Sequence, residues 1–409
     1  MKILVLNCGS SSVKYQLIEM DDEQLICKGI VERIGTEDAI LRYCPTGRPE
    51  KREVRPVPDH AAAIHAVISA LLDPEIGVIR DKSDISAVGH RTVHGGEAFA
   101  NSVKIDQNVI QSIKDFSKFA PLHNPHNLKG IEVCMELLPN TPQVAVFDTA
   151  FHQTMPASSY LYALPRSLYD KLGIRRYGFH GTSHHYVAQR AAEELGRPTE
   201  KLKIITCHLG NGASVAAVKH GESVDTSMGF TPVEGLLMGT RCGDLDPAAL
   251  LHVMEQEELS LAEANPLLNK HSGLIGISGV SSDMREIISE MDEGNKQARL
   301  AFDVFCYRIK KYIGAYSAVL GGLDAVVFTG GIGENASRVR EASLAGLEHL
   351  GIELDPGLNA RKSQSERAIQ AQNSRVAVIV IPTNEELVIA LETERVIAQA
   401  KKKTAEKVN

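Results

Sequence analysis

Small polar turns, two loop arginines, a strand-end aspartate and several loop histidines give this chain the means to handle a phosphorylated anion. The turn Asn7-Cys8-Gly9-Ser10-Ser11-Ser12 joins an apolar run at 3–6 to an alternating run at 13–18, which predicts a β-hairpin with a tip of small residues. Glycine lets the backbone approach a ligand, successive amides in such a turn point at one anion, the serines add donors, and Lys14 supplies a charge just beyond. The Asn7 carboxamide stands where it could help orient a hydrated magnesium ion. An ordinary serine-rich hairpin fits the same residues. Residues 203–219, KIITCHLGNGASVAAVK, repeat the order of parts: strand, the turn His208-Leu209-Gly210-Asn211-Gly212, read as one residue longer than the first, and strand. Two such hairpins half a chain apart predict two related domains that grip the phosphates of one nucleotide from two sides.

Arg91 follows a strand at 85–89 and precedes the pair Gly95-Gly96, and Arg241 sits in the glycine-punctuated loop 238–244. Both could reach an anionic substrate, although an arginine capping a surface loop gives the same pattern. Asp148 ends the apolar run 143–147, where open α/β sheets hold their ligands. A metal-site role, direct or through water, and a structural turn both suit it. The loop histidines His90, His94, His123, His126 and His180 match no zinc spacing, and no H-E-x-x-H occurs, so proton or phosphate chemistry is the better reading. A strand at 324–328 runs into Thr329-Gly330-Gly331-Ile332-Gly333-Glu334-Asn335. Gly331-x-Gly333-x-x-Ala336, with Glu353 or Asp355 about 20 residues on, also fits a relaxed dinucleotide fingerprint. That fingerprint normally opens a domain, and nothing downstream supplies the remaining strands, so a base-and-ribose shelf suits the segment better.

The elements that must position these groups follow from periodicity and caps. A helix is expected over 59–72 with Asp59 as N-cap, and its His60 and His65 read as surface or core residues. Residues 29–55 read as mixed and short-stranded. Helices are expected at 128–138 after a loop at 122–127, at 186–195, at 296–319 and at 336–350, and a strand at 274–277. Asp246-Pro247 opens a helix, as does Ser282-Asp283-Met284-Arg285. Thr383-Asn384-Glu385-Glu386 reads as a capping box before the last helix, with Glu385 either a first-turn residue or an acid turned toward a metal.

A chain of 409 residues with 43% hydrophobic and 23% charged residues has the composition of a soluble globular enzyme, and its length predicts two domains. The net charge of −7 gives no electrostatic reason to expect nucleic acid or an anionic membrane as partner, so any anion must be held by local donors. Seven scattered cysteines without a C-x-x-C pair point to reduced thiols in a cytoplasm and give no indication of zinc. The run at 3–6 is too short for a signal peptide, and no apolar segment reaches the roughly 18 residues of a membrane span.

The motifs also occur in a characteristic order: NCGSSSxK at 7–14, GHRxVHGG at 89–96, FDTAFH at 147–152, RRYGFHGTSH at 175–184, HLGNG at 208–212, MGTRxGDxDP at 238–247, SDMR at 282–285 and TGGIGEN at 329–335. With no G-x-x-x-x-G-K-[ST], this resembles the superfamily of sugar kinases, actin-like filaments and heat-shock ATPases. Within it the whole chain resembles the acetokinase family, with no departure at a position the family uses. The resemblance implies two related α/β domains with duplicated hairpin-initiated mixed sheets flanked by helices, and nucleotide in the interdomain cleft. Residues 1–150, completed by 384–409, would form one domain and 151–383 the other. It implies reversible, Mg2+-dependent transfer of the ATP γ-phosphoryl group to acetate, giving acetyl phosphate and ADP by in-line displacement, with Mn2+ as a possible substitute. Propionate or another short-chain acid is the alternative acceptor, and a non-metabolic ATPase a more distant one. By the same resemblance Asn7 and Glu385 would hold the metal. Lys14, His208, Leu209, Gly210, Asn211, Gly212, Asp283, Met284, Arg285, Gly331, Ile332, Gly333, Glu334 and Asn335 would line the ATP site. Arg91 would bind the carboxylate and Asp148 would be the acid/base, His180 and Arg241 would stabilise the transferring phosphoryl, and Val93, Leu122, Phe179 and Pro232 would surround the substrate methyl. A homodimer in the cytoplasm is implied as well.

Overall fold

β1 (Lys2–Cys8) and β2 (Ser12–Glu19) pair antiparallel from Lys2↔Glu19 to Cys8↔Val13, and the Gly9 N–H closes the tip by donating to the Ser12 carbonyl at 2.8 Å. β9 (Lys203–Leu209) and β10 (Ala213–Lys219) make the second hairpin, ending at Leu209↔Ala213, with Gly210 N–H donating to Gly212 O at 3.0 Å. The second turn is therefore the shorter one, the reverse of the sequence reading, because β9 carries its pairing through His208 and Leu209. The computed structural model describes residues 1–120 and 123–408, with side chains as far as Lys402.

Each hairpin opens a mixed sheet. β3 (Gln24–Glu32), β4 (Thr36–Pro45), β5 (Lys51–Val57), β6 (Ala87–Thr92), β7 (Val103–Lys104) and β8 (Gln143–Phe147) complete the first, in the order β5-β4-β3-β2-β1-β6-β8-β7. β11 (Glu222–Thr226), β12 (Ala325–Thr329), β13 (Arg367–Ala368) and β14 (Ala377–Val380) complete the second, in the order β11-β10-β9-β12-β14-β13. Strand by strand the sheets correspond. In both, the first hairpin strand pairs parallel with a later strand, that strand pairs parallel with another, and a two-residue antiparallel strand closes the edge. β4 and β5 are additions to the first sheet. Central strands such as QVAVF and AVVFT are buried at every position, as strands covered on both faces must be.

The chain divides into two compact units, Met1–Ala150 with Asn384–Asn409, and Phe151–Thr383. In the first, the His60–Leu72 helix, capped by Asp59 accepting from Ala62 N–H, packs Ile64, Val67 and Leu71 with Leu4, Leu6 and Leu17. The opposite sheet face meets the Glu385–Val408 helix, whose Ile389, Val396 and Ile397 pack with Ile3, Val5 and Val146. In the second unit, Val187 and Ala191 of the Gly181–Glu194 helix pack with Ile204, Val327 and Ile379.

Several local expectations are corrected. β3 and β4 span nine and ten residues rather than being short. Residues 274–277 lie in a helix, Gly273–Ser278, since a short apolar run carries no period that separates helix from strand. The helix expected from 128 starts at Asn124, with Pro125 in its first turn. The one expected from 336 starts at Gly330, whose φ of 77° turns the chain straight out of β12, and it breaks at Ala336 before Ser337–Leu344. Asn384 rather than Thr383 caps the final helix, accepting from Leu387 N–H at 3.1 Å.

Candidate active site

In the first unit, the parallel strands β1, β6 and β8 each bring one polar group to the same sheet end. Asn7 and Arg91 are the penultimate residues of β1 and β6, and Asp148 follows β8, its N–H donating to Thr92 O at 3.0 Å. Arg91 grips Asp148 through two bonds, Nε to Oδ1 at 3.1 Å and Nη2 to Oδ2 at 2.7 Å, while Nη1 lies 3.5 Å from Asn7 Oδ1. Burial opposes the charge on Arg91, but Asp148, then Glu385 and Glu386 at the start of the final helix, outweigh it and hold the guanidinium firmly protonated. Among the described residues no cage of three or more His, Cys, Asp or Glu side chains forms for a metal. Magnesium commonly takes one or two protein oxygens and completes its shell with phosphates and water, and Asn7, Asp148 and Glu385 fit that modest donor set.

The backbone around these groups is clamped from the Asn124–Leu137 helix. Asn127 accepts Val93 N–H at 3.1 Å and donates to Cys8 O at 2.8 Å, and Asn124 accepts His94 N–H at 3.1 Å and donates to His94 O at 2.9 Å. His60 Nε2–H donates to Gly9 O at 2.6 Å, and its ring stacks on His126 with centroids 4.8 Å apart. The sequence reading passed over Asn124, Asn127 and the tie from His60; Pro125, marking a helix start, was the available signal. Val93 is buried, Lys14 is exposed on β2 opposite Asn7, and Leu122 lies outside the described residues.

In the second unit, a cavity of about 960 Å³ is lined by Gly210, Asn211, Asp283, Met284, Arg285, Gly331, Ile332 and Asn335, joined by Ser282, Ile288 and Ala336. The structure thus gathers most of the residues assigned to nucleotide from the turn after β9, the start of the Met284–Asp292 helix and the start of the Gly330–Asn335 helix. The rest of that set, Lys14 of the first unit and His208, Leu209, Gly212, Gly333 and Glu334 of the second, is not in its lining. Leu209 is fully buried. Glu334 turns back to accept Gly330 N–H at 3.0 Å and Thr383 N–H at 3.1 Å. Gly333 O accepts from Arg340 Nη1, whose guanidinium also bonds Asn359 and fixes the shelf from below. His208 is buried, its Nδ1 2.8 Å from Ser183 Oγ.

Beside the glycine turn lie His180 and Arg241. A methyl group on Gly212 would stand 3.4 Å from Arg241 Nη1 and 3.6 Å from His180 Nε2. Arg241 is partly buried, donates only weakly to Pro232 O at 3.3 Å, and has no carboxylate in ion-pair range among the described residues. Burial pulls its pKa down, the mark of a cation lacking its anion. The loop carrying Pro232 is tied down by Arg176, which donates to the carbonyls of Thr226, Ser227 and Met228 and pairs with Glu234 at 2.5 Å. Phe179 is buried, and its carbonyl accepts from His152 Nε2 at 3.0 Å.

These parts define a class: an α/β protein whose glycine turns, loop histidine and guanidinium groups are donors suited to a phosphorylated ligand. A family model described as the acetokinase family matches residues 2–391. An acetate kinase of Dictyoglomus thermophilum is 55% identical over 399 residues, covering 98% of this chain and 100% of that one. One of Halothermothrix orenii is 56% identical over 397 residues, 97% and 100% of the two chains. The crystal structure of Porphyromonas gingivalis acetate kinase matches with a TM-score of 0.93 at 49% identity, covering 97% of this chain and 99% of that one. A propionate kinase from Francisella tularensis matches with a TM-score of 0.90 at 42% identity, covering 96% and 99%. The chain belongs to the acetokinase family.

Proposed function

We infer that the protein is a kinase that passes a phosphoryl group between ATP and acetate, interconverting acetate and acetyl phosphate by in-line displacement. The observation that carries this is Arg241, a guanidinium without a carboxylate partner among the described residues, set beside a glycine turn and His180 next to a cavity of nucleotide size. A carboxylic acid is ionised at pH 7, since such groups titrate near 3.5 to 4.5, so the acceptor needs no base. What remains is to position it and neutralise charge that spreads over the equatorial oxygens of the transferring group. In this reading Arg91 orients the acid through donors left over from Asp148, and Val93, Phe179 and Pro232 are the apolar residues assigned to its methyl. His180 and Arg241 meet the phosphoryl, and Gly210, Asn211, Asp283 to Arg285, Gly331 and Ile332 hold the nucleotide. Asn7 and Glu385 would hold Mg2+, which supplies Lewis-acid charge to the phosphates. Asp148 accepts from Arg91 with both of its oxygens. We therefore assign it to organising the site rather than to taking a proton.

Incubating the protein with ATP, Mg2+, acetate and hydroxylamine should yield acetohydroxamate, and its absence would sink the assignment. Propionate is the second reading, favoured by the similarity to the Francisella protein, and one methylene in an apolar pocket is worth only about 1–3 kcal/mol. A homodimer is supported by the Pro247–Gln256 helix, which has no buried residue and exposes Leu251 at 66%, followed by Leu261 at 82%. The free thiols support a reducing cytoplasm, and no helix among the described residues is long and apolar enough to cross a membrane.

A further inference from the structure

We propose that Asp244 and Tyr312 are positioning residues for phosphoryl transfer: they close the neck of the loop 235–244 and so hold the Arg241 guanidinium beside the glycine turn. This rests on the phosphotransfer reading and adds to it the frame that steadies one of its cations. The Arg241 side chain is poorly fixed by its own bonds, a weak donation to Pro232 O at 3.3 Å and a contact with Met238 Sδ at 3.7 Å. Its place must therefore come from the backbone that carries it. On one side that backbone lies along residues 268–272. Ser272 N–H donates to Thr240 O at 3.1 Å, Cys242 N–H donates to Leu268 O at 3.1 Å, and Thr240 Oγ1 donates to Asn269 O at 2.8 Å. On the other side the loop is drawn shut at its neck. Asp244 N–H donates to Gly235 O at 2.9 Å, and Gly235 N–H donates back to Asp244 Oδ1 at 2.9 Å.

The backbone at the neck is closely constrained. Gly235 and Gly243 have φ of 108° and 71°, and a methyl group at Gly243 would fall 2.5 Å from Leu236 O, so the two arms approach where no side chain fits. The remaining oxygen, Asp244 Oδ2, accepts from the Tyr312 hydroxyl at 2.9 Å and has Arg308 Nη1 at 3.7 Å. Tyr312 and Arg308 stand one turn apart on the Lys296–Leu320 helix, and the Tyr312 ring meets Tyr316 edge-on with centroids 5.5 Å apart. Burial, and then the Asp244 carboxylate, raise the pKa of Tyr312 well above the ordinary phenol range, so its hydroxyl keeps the proton it donates. Each bond thus has one direction: an amide and a phenol donate, and one carboxylate accepts from both. Asp246, the other acid of the same motif, is used elsewhere, capping the Pro247–Gln256 helix by accepting from Ala248 N–H at 2.9 Å. All of these residues belong to the second unit. Asp244 and Tyr312 act on the phosphoryl only through Arg241.

The test uses the full-length protein in the hydroxamate assay, with amide hydrogen exchange read over 235–244. Asp244→Ala removes both acceptors and should lower kcat about 10- to 100-fold, the range that a displacement of about 1 Å can cause, with KM for ATP and acetate within threefold. Tyr312→Phe keeps the ring and should lower kcat about fivefold. Asp244→Asn should recover most of the rate lost in Asp244→Ala, because its amide oxygen still accepts from Gly235 and the Tyr312 hydroxyl can turn to accept from Nδ2. Exchange over 235–244 should quicken in Asp244→Ala and Tyr312→Phe while the rest of the chain exchanges as in the wild type. A clasp that serves only stability would lower the melting temperature and leave kcat alone. A kcat within twofold of wild type in Asp244→Ala overturns the proposal, and if that variant does not fold, the same result in Tyr312→Phe does so. A KM for ATP that rises in step with the fall in kcat also overturns it, by making the loop part of nucleotide binding. Absence of hydroxamate from the wild type would sink the phosphotransfer reading and this proposal with it, whereas hydroxamate from the wild type with kcat unmoved in the variants sinks the proposal alone.

Discussion

Arg91 and Asp148 join neighbouring parallel strands through a two-point ion pair, at 2.7 and 3.1 Å, in which the carboxylate side chain is 2% exposed and the guanidinium 22%. The asymmetry matters, because removing the arginine takes a two-point partner from a buried negative charge. Arg91→Ala is therefore expected to lose several orders of magnitude in kcat and also about 3 kcal/mol of stability, read by hydroxamate formation and thermal unfolding. Asp148→Asn keeps the shape and weakens the grip. Its activity should fall, stay flat with pH near neutrality and recover partly with raised Mg2+ or Mn2+. A profile that titrates with a new pKa would instead make Asp148 a proton acceptor.

Arg241 presents the opposite case. It has no carboxylate partner among the described residues, and burial alone pulls its pKa down, so its charge costs the fold something and is offset only when an anion arrives. Arg241→Ala should lose turnover as severely as Arg91→Ala yet melt no lower than wild type. Near-full turnover would remove Arg241 from the mechanism, and a melting temperature well below wild type would show that it has a structural partner.

Buried histidines set the acid limit of the fold. His90, bonded to Gln143 at 2.8 Å, and His152, between Ser223 and the Phe179 carbonyl, are pushed down to about 4 by burial. Unfolded histidine titrates near 6.5, so between those values the unfolded chain binds more protons than the folded one, and stability falls as pH drops. At pH 5 each should have cost about 2 kcal/mol relative to pH 7. Urea unfolding at the two pH values measures this, and equal stability at both would mean that these rings are protonated inside the fold.

The alternating and apolar runs made both hairpins, the strand before Asp148 and the helix capped by Asp59 readable, since each rests on local period and local caps. Glycine turns and loop arginines could be singled out for the same reason: their residue types limit what they can do. What escaped depends on contacts far apart in sequence. Asn127 and Cys8 are separated by 119 residues, and His60 and Gly9 by 51, and no local pattern announces either bond. The apolar stretch at 274–277 escaped for a different reason: four residues are too few to show a period, and they lie in the helix Gly273–Ser278. The bonds that turn Glu334 back on the Gly330 amide likewise took it from the expected cavity wall into the frame beneath.

Two glycines separate nucleotide binding from transfer. At Gly239 a methyl group would fall 1.8 Å from Asn211 Oδ1 and 3.1 Å from the Ser282 carbonyl. The carboxamide can swing away, but Asn211 lines the cavity, so Gly239→Ala should push it into the space for the nucleotide and weaken ADP binding measured by calorimetry. At Gly212 the nearest atoms are 3.4 Å away on Arg241 and 3.5 Å away on His180, ordinary contacts that need no backbone shift. Gly212→Ala should fold normally and bind ADP nearly as tightly. Its methyl would nevertheless crowd the groups assigned to the transferring phosphoryl, so kcat should fall about 10- to 100-fold, the scale set by losing one well-placed donor. If Gly212→Ala instead lost ADP affinity while keeping kcat, the turn would serve only to hold nucleotide, and His180 and Arg241 would not flank the moving phosphate.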